Sequence, residues 1–325
     1  MNKKSKAFIN LVNSDINLLL EPSNLTGFNS SNGRSLWDGA QFNVNAGGKR
    51  VRPMLVSYFS EMLGLDAEKA RRIAVTAELI HAASLVHDDV IDEADERRNQ
   101  MCVHKKWDTK TAILCGDIMF ALAFSNLATL RHPVMVSAAD VLREMSCSVI
   151  DEFEARSTVL ELDRWRSIAE GKTGALFAWC GLGPALEVEN PQAQDHFQRV
   201  GRHLGVAFQL ADDLKDVLPN QGKDRFADLK NANPSFLITT AVSVDPSFED
   251  EIRAFWESDR SSTSDLERLG ERVVALGFEP AVEALKEEVE LGLQPLQHYA
   301  DKGCTQDLIN WAQTHLGAYL NSVAA

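Results

Sequence analysis

Cysteine is sparse and scattered in this chain. The five cysteines among 325 residues, Cys102, Cys115, Cys147, Cys180 and Cys304, include no C-x-x-C pair. An odd, dispersed set of this kind excludes a disulfide framework or a zinc ribbon and fits reduced thiols in a cytoplasmic protein. Long apolar runs are missing as well. Nothing approaches the ~20 consecutive apolar residues of a membrane-spanning helix, so no integral membrane segment is expected. The opening "MNKKSKAFINLVNSDINLLLEPSN" is basic and then amphipathic. Asp15 and Asn17 interrupt its apolar run and no small-residue cleavage site follows, which argues against a signal peptide. Positive charge is in deficit: 33 Lys and Arg face 47 Asp and Glu, a net charge of −14. That balance excludes nucleic acid as the main partner, while leaving local basic clusters available for small anions.

Strand alternation and hairpin dipeptides are also lacking. What the chain has instead is helical periodicity. "AEKARRIAVTAELIHAASLVHDDVID", "TAILCGDIMFALAFSNLATL", "VMVSAADVLREMSCSVIDEFEARS" and "FQRVGRHLGVAFQLADDLKDVL" repeat apolar residues at spacings of three and four. They are rich in good helix formers. Between such segments lie the breakers "NAGGKRVRP", "RHP", "CGLGP", "ENP", "LPNQGKD", "NANP", "VDPS" and "GFEP", and one solvated loop, "ESDRSSTSD". The expectation is an all-α protein, a single domain over residues 1–325 with roughly ten to thirteen helices.

Two acidic motifs stand out. "LVHDDVID" places Asp88, Asp89 and Asp92 directly after an apolar segment, and "FQLADDLKD" repeats the pattern with Asp212, Asp213 and Asp216. On a helix, positions i and i+4 share a face, and like charges there are destabilising unless something sits between them. One such motif is ordinarily a solvated helix face; two copies point to a divalent cation. Mg2+ prefers one or two carboxylates together with phosphate oxygens, so the pair suggests a diphosphate held through metal. Basic clusters lie nearby in sequence: Gly47, Gly48, Lys49, Arg50 and Arg52 in "GGKRVRP", Arg97 and Arg98 after the first motif, and Lys172 with Thr173, and Lys223, near the second. Glycines let backbone N–H groups approach an anion. "GKTG" is not a P-loop, because it lacks the required spacing and a preceding strand.

"GGKRVRP", "ELIHAASLVHDDVIDEADERR", "GKTGALF", "FQLADDLKD" and "GKDRFADL", in this order between Gly47 and Pro234, resemble the trans-isoprenyl diphosphate synthases, the polyprenyl synthetase family. The resemblance implies an all-α bundle around a central cavity, a homodimer, and condensation of isopentenyl diphosphate with an allylic diphosphate. It implies Mg2+ as cofactor, about three ions recruited with the diphosphate. By the same resemblance Asp88, Asp92 and Asp212 hold the metal, with Asp89, Asp213 and Asp216 in the same clusters. Arg97, Lys172, Gln209 and Lys223 take the allylic diphosphate, with Thr173 and Asp151 beside them. Gly48, Lys49, Arg52, His81 and Arg98 take the isopentenyl diphosphate. His81 also has a simpler reading, as a satisfied core histidine.

The chain departs from the family pattern at three places. "RRN" puts Asn99 where glycine is usual, "CSVIDEF" offers Cys147 and Ser148 in place of glycine and glutamate or glutamine, and Asn233 replaces a late lysine, with Lys230 three residues earlier. Product length is expected to follow from the helix before the first motif. Ala83 and Ser84 are small, with Ile80 a further turn back, so products of roughly twenty carbons or longer are expected; small residues there otherwise serve close helix packing. Phe120 and Phe124 are further candidates for a floor. Two other functions compete: a class I terpene cyclase, and a non-catalytic subunit that modulates a partner synthase.

Overall fold

In the computed structural model, residues 3–21, 34–219 and 225–316 are described. They form two compact units, Met1–Asp140 with Trp179–Asp195 and Val141–Ala178 with His196–Ala325. The order is α1 (Lys3–Leu19), α2 (Arg34–Asn45), α3 (Val51–Leu63), α4 (Ala67–Ile91), β1 (Glu96–Arg97), β2 (Gln100–Met101), α5 (Val103–Lys106), α6 (Thr109–Asn126) and α7 (His132–Glu154). Then come α8 (Leu162–Ala169), a π-turn (Glu170–Gly174), α9 (Ala175–Glu187), α10 (Pro191–Val217), α11 (Ala227–Asn231) and α12 (Phe236–Val244). Last are α13 (Phe248–Glu257), α14 (Thr263–Leu293), a 3-10 turn (Gln294–Tyr299) and α15 (Gly303–His315). The all-α expectation holds. Helices α7, α9 and α10 contribute residues to both units.

In the first unit α4 is the central element. The Asp66 carboxylate caps its N-terminus by accepting from Glu68 N and Lys69 N. From Ile73 to Ala83 all but His81 of its residues are buried, polar Thr76 and Glu78 included, and a helix buried on nearly all sides explains a segment apolar on nearly all faces. Its main neighbour is α6, which runs antiparallel: His87 meets the Ile113 carbonyl (3.0 Å), while Thr76 Oγ1 donates to the Ala123 carbonyl (3.2 Å). Arg50 joins three elements, donating to Asn13 Oδ1 (2.9 Å), the Val44 carbonyl (2.8 Å) and buried Glu78 (2.7 Å). In the second unit α14 packs on α12 and buries Leu269, Val273, Ala281, Val282 and Leu285.

Three sequence expectations change. "CGLGP" lies inside α9 and "GFEP" inside α14, so neither is a break. A Cβ on Gly277 would come within 2.4 Å of the Leu237 carbonyl oxygen; that glycine is there for close approach of α12, not for a turn. A short hairpin also exists. Glu96 pairs with Met101 and Arg97 with Gln100 around Arg98 (φ 54°) and Asn99 (φ 61°). A two-residue hairpin loop of this kind needs positive φ at both central positions. Asparagine tolerates that conformation, which accounts for the departure at Asn99.

Cys102, Cys115, Cys180 and Cys304 are buried and Cys147 is exposed. Burial pushes the Cys102, Cys115 and Cys180 thiols up to about 12. Titration with a disulfide reagent at neutral pH should therefore show one fast thiol per chain, and Cys147→Ser should remove it. Four or more fast thiols in the native protein would contradict this packing.

Candidate active site

Both acidic motifs end a helix. Asp88 and Asp89 lie in the last turn of α4 and Asp92 is its C-cap; Asp212, Asp213 and Asp216 lie in the last turns of α10. A helix C-terminus already carries about half a negative charge, so carboxylates there are destabilised by roughly 0.3–1 kcal/mol each. The fold relieves the inner members with protein donors. Asp89 is buried and accepts from Arg97 Nε at 2.5 Å. Asp213 is buried and accepts from Phe236 N (2.8 Å) and Gln209 Nε2 (3.1 Å). Asp216 accepts from Ala227 N and Asp228 N, both at 3.1 Å, and so caps α11. Asp89, Asp213 and Asp216 thus spend their oxygens on the fold. Asp88 is half-buried, and Asp92 and Asp212 are exposed, Asp212 accepting from Lys215 Nζ at 3.1 Å. A hard divalent cation suits these outer carboxylates, because it would offset charge that the helix ends raise and has room for phosphate oxygens. Among the described residues no group of three or more His, Cys, Asp or Glu side chains forms a ready cage.

The basic side of the first unit is crowded. Gly47 (φ 90°) and Gly48 (φ 144°) take backbone conformations open to glycine, and the Gly47 carbonyl accepts from Arg98. A Cβ on Gly48 would lie 2.9 Å from Arg98 Nη1, so glycine is needed for the guanidinium to pass. Lys49 is exposed. Arg52 is buried in the first turn of α3; burial, and after it the Arg98 charge, lower its pKa against the opposing effects of Cys180 and Glu78. Burial, followed by Arg52, Arg98, Arg97 and Arg50, holds the His81 imidazole well below its usual range. His81 is therefore neutral near pH 7, a hydrogen-bonding group inside a ring of cations. Arg50, by contrast, is spent on Asn13, Val44 and Glu78.

In the second unit the π-turn carries Lys172 and Thr173. Two helical stripes hold it. On α7, Glu144, Ser148 and Glu152 recur every four residues: Glu144 pairs with Arg202, Ser148 touches Gly171, and Glu152 accepts from Lys172. On α10, Arg202, Gly205 and Gln209 meet Glu170, Gly174 and Thr173. A Cβ on Gly171 would fall 1.8 Å from Ser148 Oγ, so Ser148 lies directly against Gly171 and leaves no room for a side chain there. Asp151 lies on the exposed face of α7, and Glu152 rather than Asp151 meets Lys172. Burial, with Asp212 and Glu152 adding to it, pushes the Asp213 carboxyl up to about 7. Burial, then Asp216 and Asp213, raises Asp228 well above the carboxylate range, and its partner is the neutral Asn233 amide at 3.4 Å. Lys230 is exposed at the end of α11, and Lys223 lies outside the described residues.

Ile80 and Ala83 are fully buried on α4, and Ser84 bonds the His81 carbonyl at 3.0 Å. Phe120 packs edge-on to His87 with ring centroids 5.6 Å apart. Glu144, Glu152, Arg202 and Asp228 were not singled out from sequence. The four-residue recurrence at 144, 148 and 152 was the available signal.

The sequence profile of the polyprenyl synthetase family matches residues 35–273. Solanesyl diphosphate synthase 2, chloroplastic, from Arabidopsis thaliana is 34% identical over 78% of this chain, and the chain spans 63% of that relative's length. A prenyl transferase from Synechocystis sp. is 36% identical over 60% of this chain and is likewise spanned over 63%. Among solved structures, a decaprenyl diphosphate synthase from Rhodobacter capsulatus superposes with a TM-score of 0.88 at 24% identity, covering 97% of both chains. A polyprenyl synthase from Caulobacter crescentus, solved with calcium and isoprenyl diphosphate, gives 0.87 at 22% identity over 97% of this chain and 95% of that one.

Two outcomes follow from this geometry. A Cβ on Gly205 would sit 2.4 Å from Gly174 Cα, so Gly205→Ala should destabilise the protein by about 1–3 kcal/mol, read as a lower denaturation midpoint. A midpoint equal to wild type would rule out the close approach. His81 binds its proton more weakly folded than unfolded. Its contribution is therefore full above the unfolded value of about 6.5 and is lost as pH falls below it. His81→Gln should flatten the stability-against-pH curve between pH ~5 and ~6.5; parallel curves would show His81 to be unperturbed.

Proposed function

The chain belongs to the polyprenyl synthetase family of prenyltransferases, and on that premise we propose that it joins isopentenyl diphosphate head-to-tail to an allylic diphosphate. The observation that carries this reading is the pair of acidic helix ends whose outer carboxylates, Asp88, Asp92 and Asp212, turn away from the core. The basic cluster of Lys49, Arg52, His81 and Arg98 supports it by offering a separate place for an anion.

Asp88, Asp92 and Asp212 would hold Mg2+, which when bound neutralises charge on a departing diphosphate. Arg97 and Lys172 add fixed positive charge to the allylic diphosphate, and Gln209 and Thr173 line its site. Lys49, Arg52 and Arg98, with neutral His81 and the backbone at Gly48, hold the isopentenyl diphosphate and leave its double bond free to attack. As the allylic C–O bond breaks, the double bond adds to the allylic carbon and the released diphosphate accepts the proton lost from the new chain. No protein nucleophile is needed. The protein supplies position and excludes water.

Small Ala83 and Ser84 beneath Asp88, with Ile80 a turn further, support a product of roughly twenty carbons or longer. Exposed Ile113 and Leu114 on α6 support a homodimer, and five scattered cysteines, four of them buried, support a cytoplasmic setting. A second reading, a subunit that modulates a partner synthase, is favoured by one observation. Asn233 gives Asp228 a neutral amide at the position where the family carries a lysine.

Purified protein incubated with Mg2+, labelled isopentenyl diphosphate and each allylic primer in turn should give a product ladder ending at roughly twenty carbons or more. Asp88→Ala should lower turnover at least about 100-fold. A farnesyl-only product would refute the chain length. Absence of elongation until a partner synthase is added, with Asp88→Ala then without effect, would establish the subunit reading instead.

A further inference from the structure

The π-turn that carries Lys172 and Thr173 is an interruption in an otherwise continuous helical run from Leu162 to Glu187. Its defining bond runs from the Ala175 N–H to the Glu170 carbonyl, one residue longer than an α-helical bond. One added residue rotates everything beyond it by about 100° relative to an uninterrupted helix. The same sequence can therefore present Lys172 and Thr173 in either of two phases, and something must select one.

The Glu170 carbonyl receives a second donor, Arg202 Nη1 at 3.4 Å. That guanidinium is oriented by a fork to Glu144, with Nη2 to Oε2 at 2.8 Å and Nη1 to Oε1. The Glu170 side chain is held too, by Arg166 Nε at 3.1 Å, and Arg166 is itself fixed on buried Glu288, which His203 also meets at 2.9 Å. The glycine contacts at Gly171 and Gly174 bring α7 and α10 close by shape. The bond from Arg202 adds a polar tie on the backbone itself, ending on the carbonyl that defines the π-turn.

We propose that Arg202, oriented by Glu144, is a positioning residue that locks the π-turn and thereby sets Lys172 and Thr173 for the allylic substrate. The proposal rests on the assignment of Lys172 and Thr173 to the allylic diphosphate. Arg202 acts through the turn and touches no substrate. The pair is about one third exposed, so its direct contribution to stability is small and its removal should be felt in kinetics.

The test uses the full chain with Arg202→Met, Glu144→Gln, Arg202→Lys and Lys172→Ala, and measures kcat and KM separately for each substrate together with thermal midpoints. Arg202→Met should lower kcat/KM for the allylic diphosphate by about 10- to 100-fold, since small misplacements of a positioned group cost that much. KM for isopentenyl diphosphate should stay within about twofold and the thermal midpoint within a few degrees. Glu144→Gln should fall between Arg202→Met and wild type. Arg202→Lys should recover part of the loss, because an ammonium reaches the carbonyl or the carboxylate but not both in fork geometry. Amide exchange over residues 170–175 should quicken in Arg202→Met. Wild-type allylic kinetics in Arg202→Met and Glu144→Gln, or an equal rise in KM for both substrates, would overturn the clamp while a crippled Lys172→Ala left the parent assignment standing. Lys172→Ala with wild-type allylic kinetics would overturn both.

Discussion

Carboxylates gathered at the negative ends of two helices are the constraint around which the rest of the molecule is arranged. A helix C-terminus disfavours anions, yet α4 and α10 each end in an aspartate cluster. The fold tolerates this by dividing the members. The middle aspartate of each motif turns inward and is satisfied by protein donors: Arg97 for Asp89, and the Phe236 N–H with Gln209 for Asp213. The last member differs between the two. Asp216 caps α11, whereas Asp92 is exposed at the end of α4. The outer members, Asp88 half-buried and Asp92 and Asp212 exposed, face away from these donors.

The basic residues are divided in the same manner. Arg50, Arg52 and Arg98 look equivalent as entries in a charge run, but Arg50 is consumed in joining α1, α2 and α4 through Asn13, Val44 and Glu78. Arg52 is buried between Arg98 and the opposing Glu78, with the neutral imidazole of His81 close by. Arg98 is held on the Gly47 carbonyl at a hairpin turn whose left-handed geometry Asn99 accepts as readily as glycine would. The departure from the family pattern at Asn99 is therefore a local accommodation to a positive φ, and Ser148 lies directly against Gly171. The Asn233 change is of a different kind. It leaves the raised Asp228 carboxyl facing an uncharged partner, so it alters electrostatics where the other two alter shape.

The turn bearing Lys172 shows how a helix can be made to do local work. Strain at a π-turn persists only where surroundings over-determine it, and here α7 meets it through Ser148 and Glu152 and α10 through Arg202, Gly205 and Gln209. The functional groups ride on a rigid element braced from two sides, and not on a loop.

Helical class, the position of the acidic and basic motifs and their order were all determined by the sequence itself, because apolar spacing of three and four and a doubled D-D-x-x-D are local patterns. Most breakers were legible for the same reason; "ENP" opens α10 and "NANP" separates α11 from α12. "CGLGP" and "GFEP" misled because glycine serves both turns and close packing, and only the neighbouring helix decides which. Which aspartate of each triplet faces inward was decided by tertiary structure, since adjacent positions on a helix differ by about 100° and the core determines the rotation. The same holds for Glu152 meeting Lys172 in place of Asp151, and for Arg202 reaching the Glu170 carbonyl. Sequence determines which charges are present and how they are spaced along an element; only packing settles which of them are satisfied by the protein and which are left for a ligand.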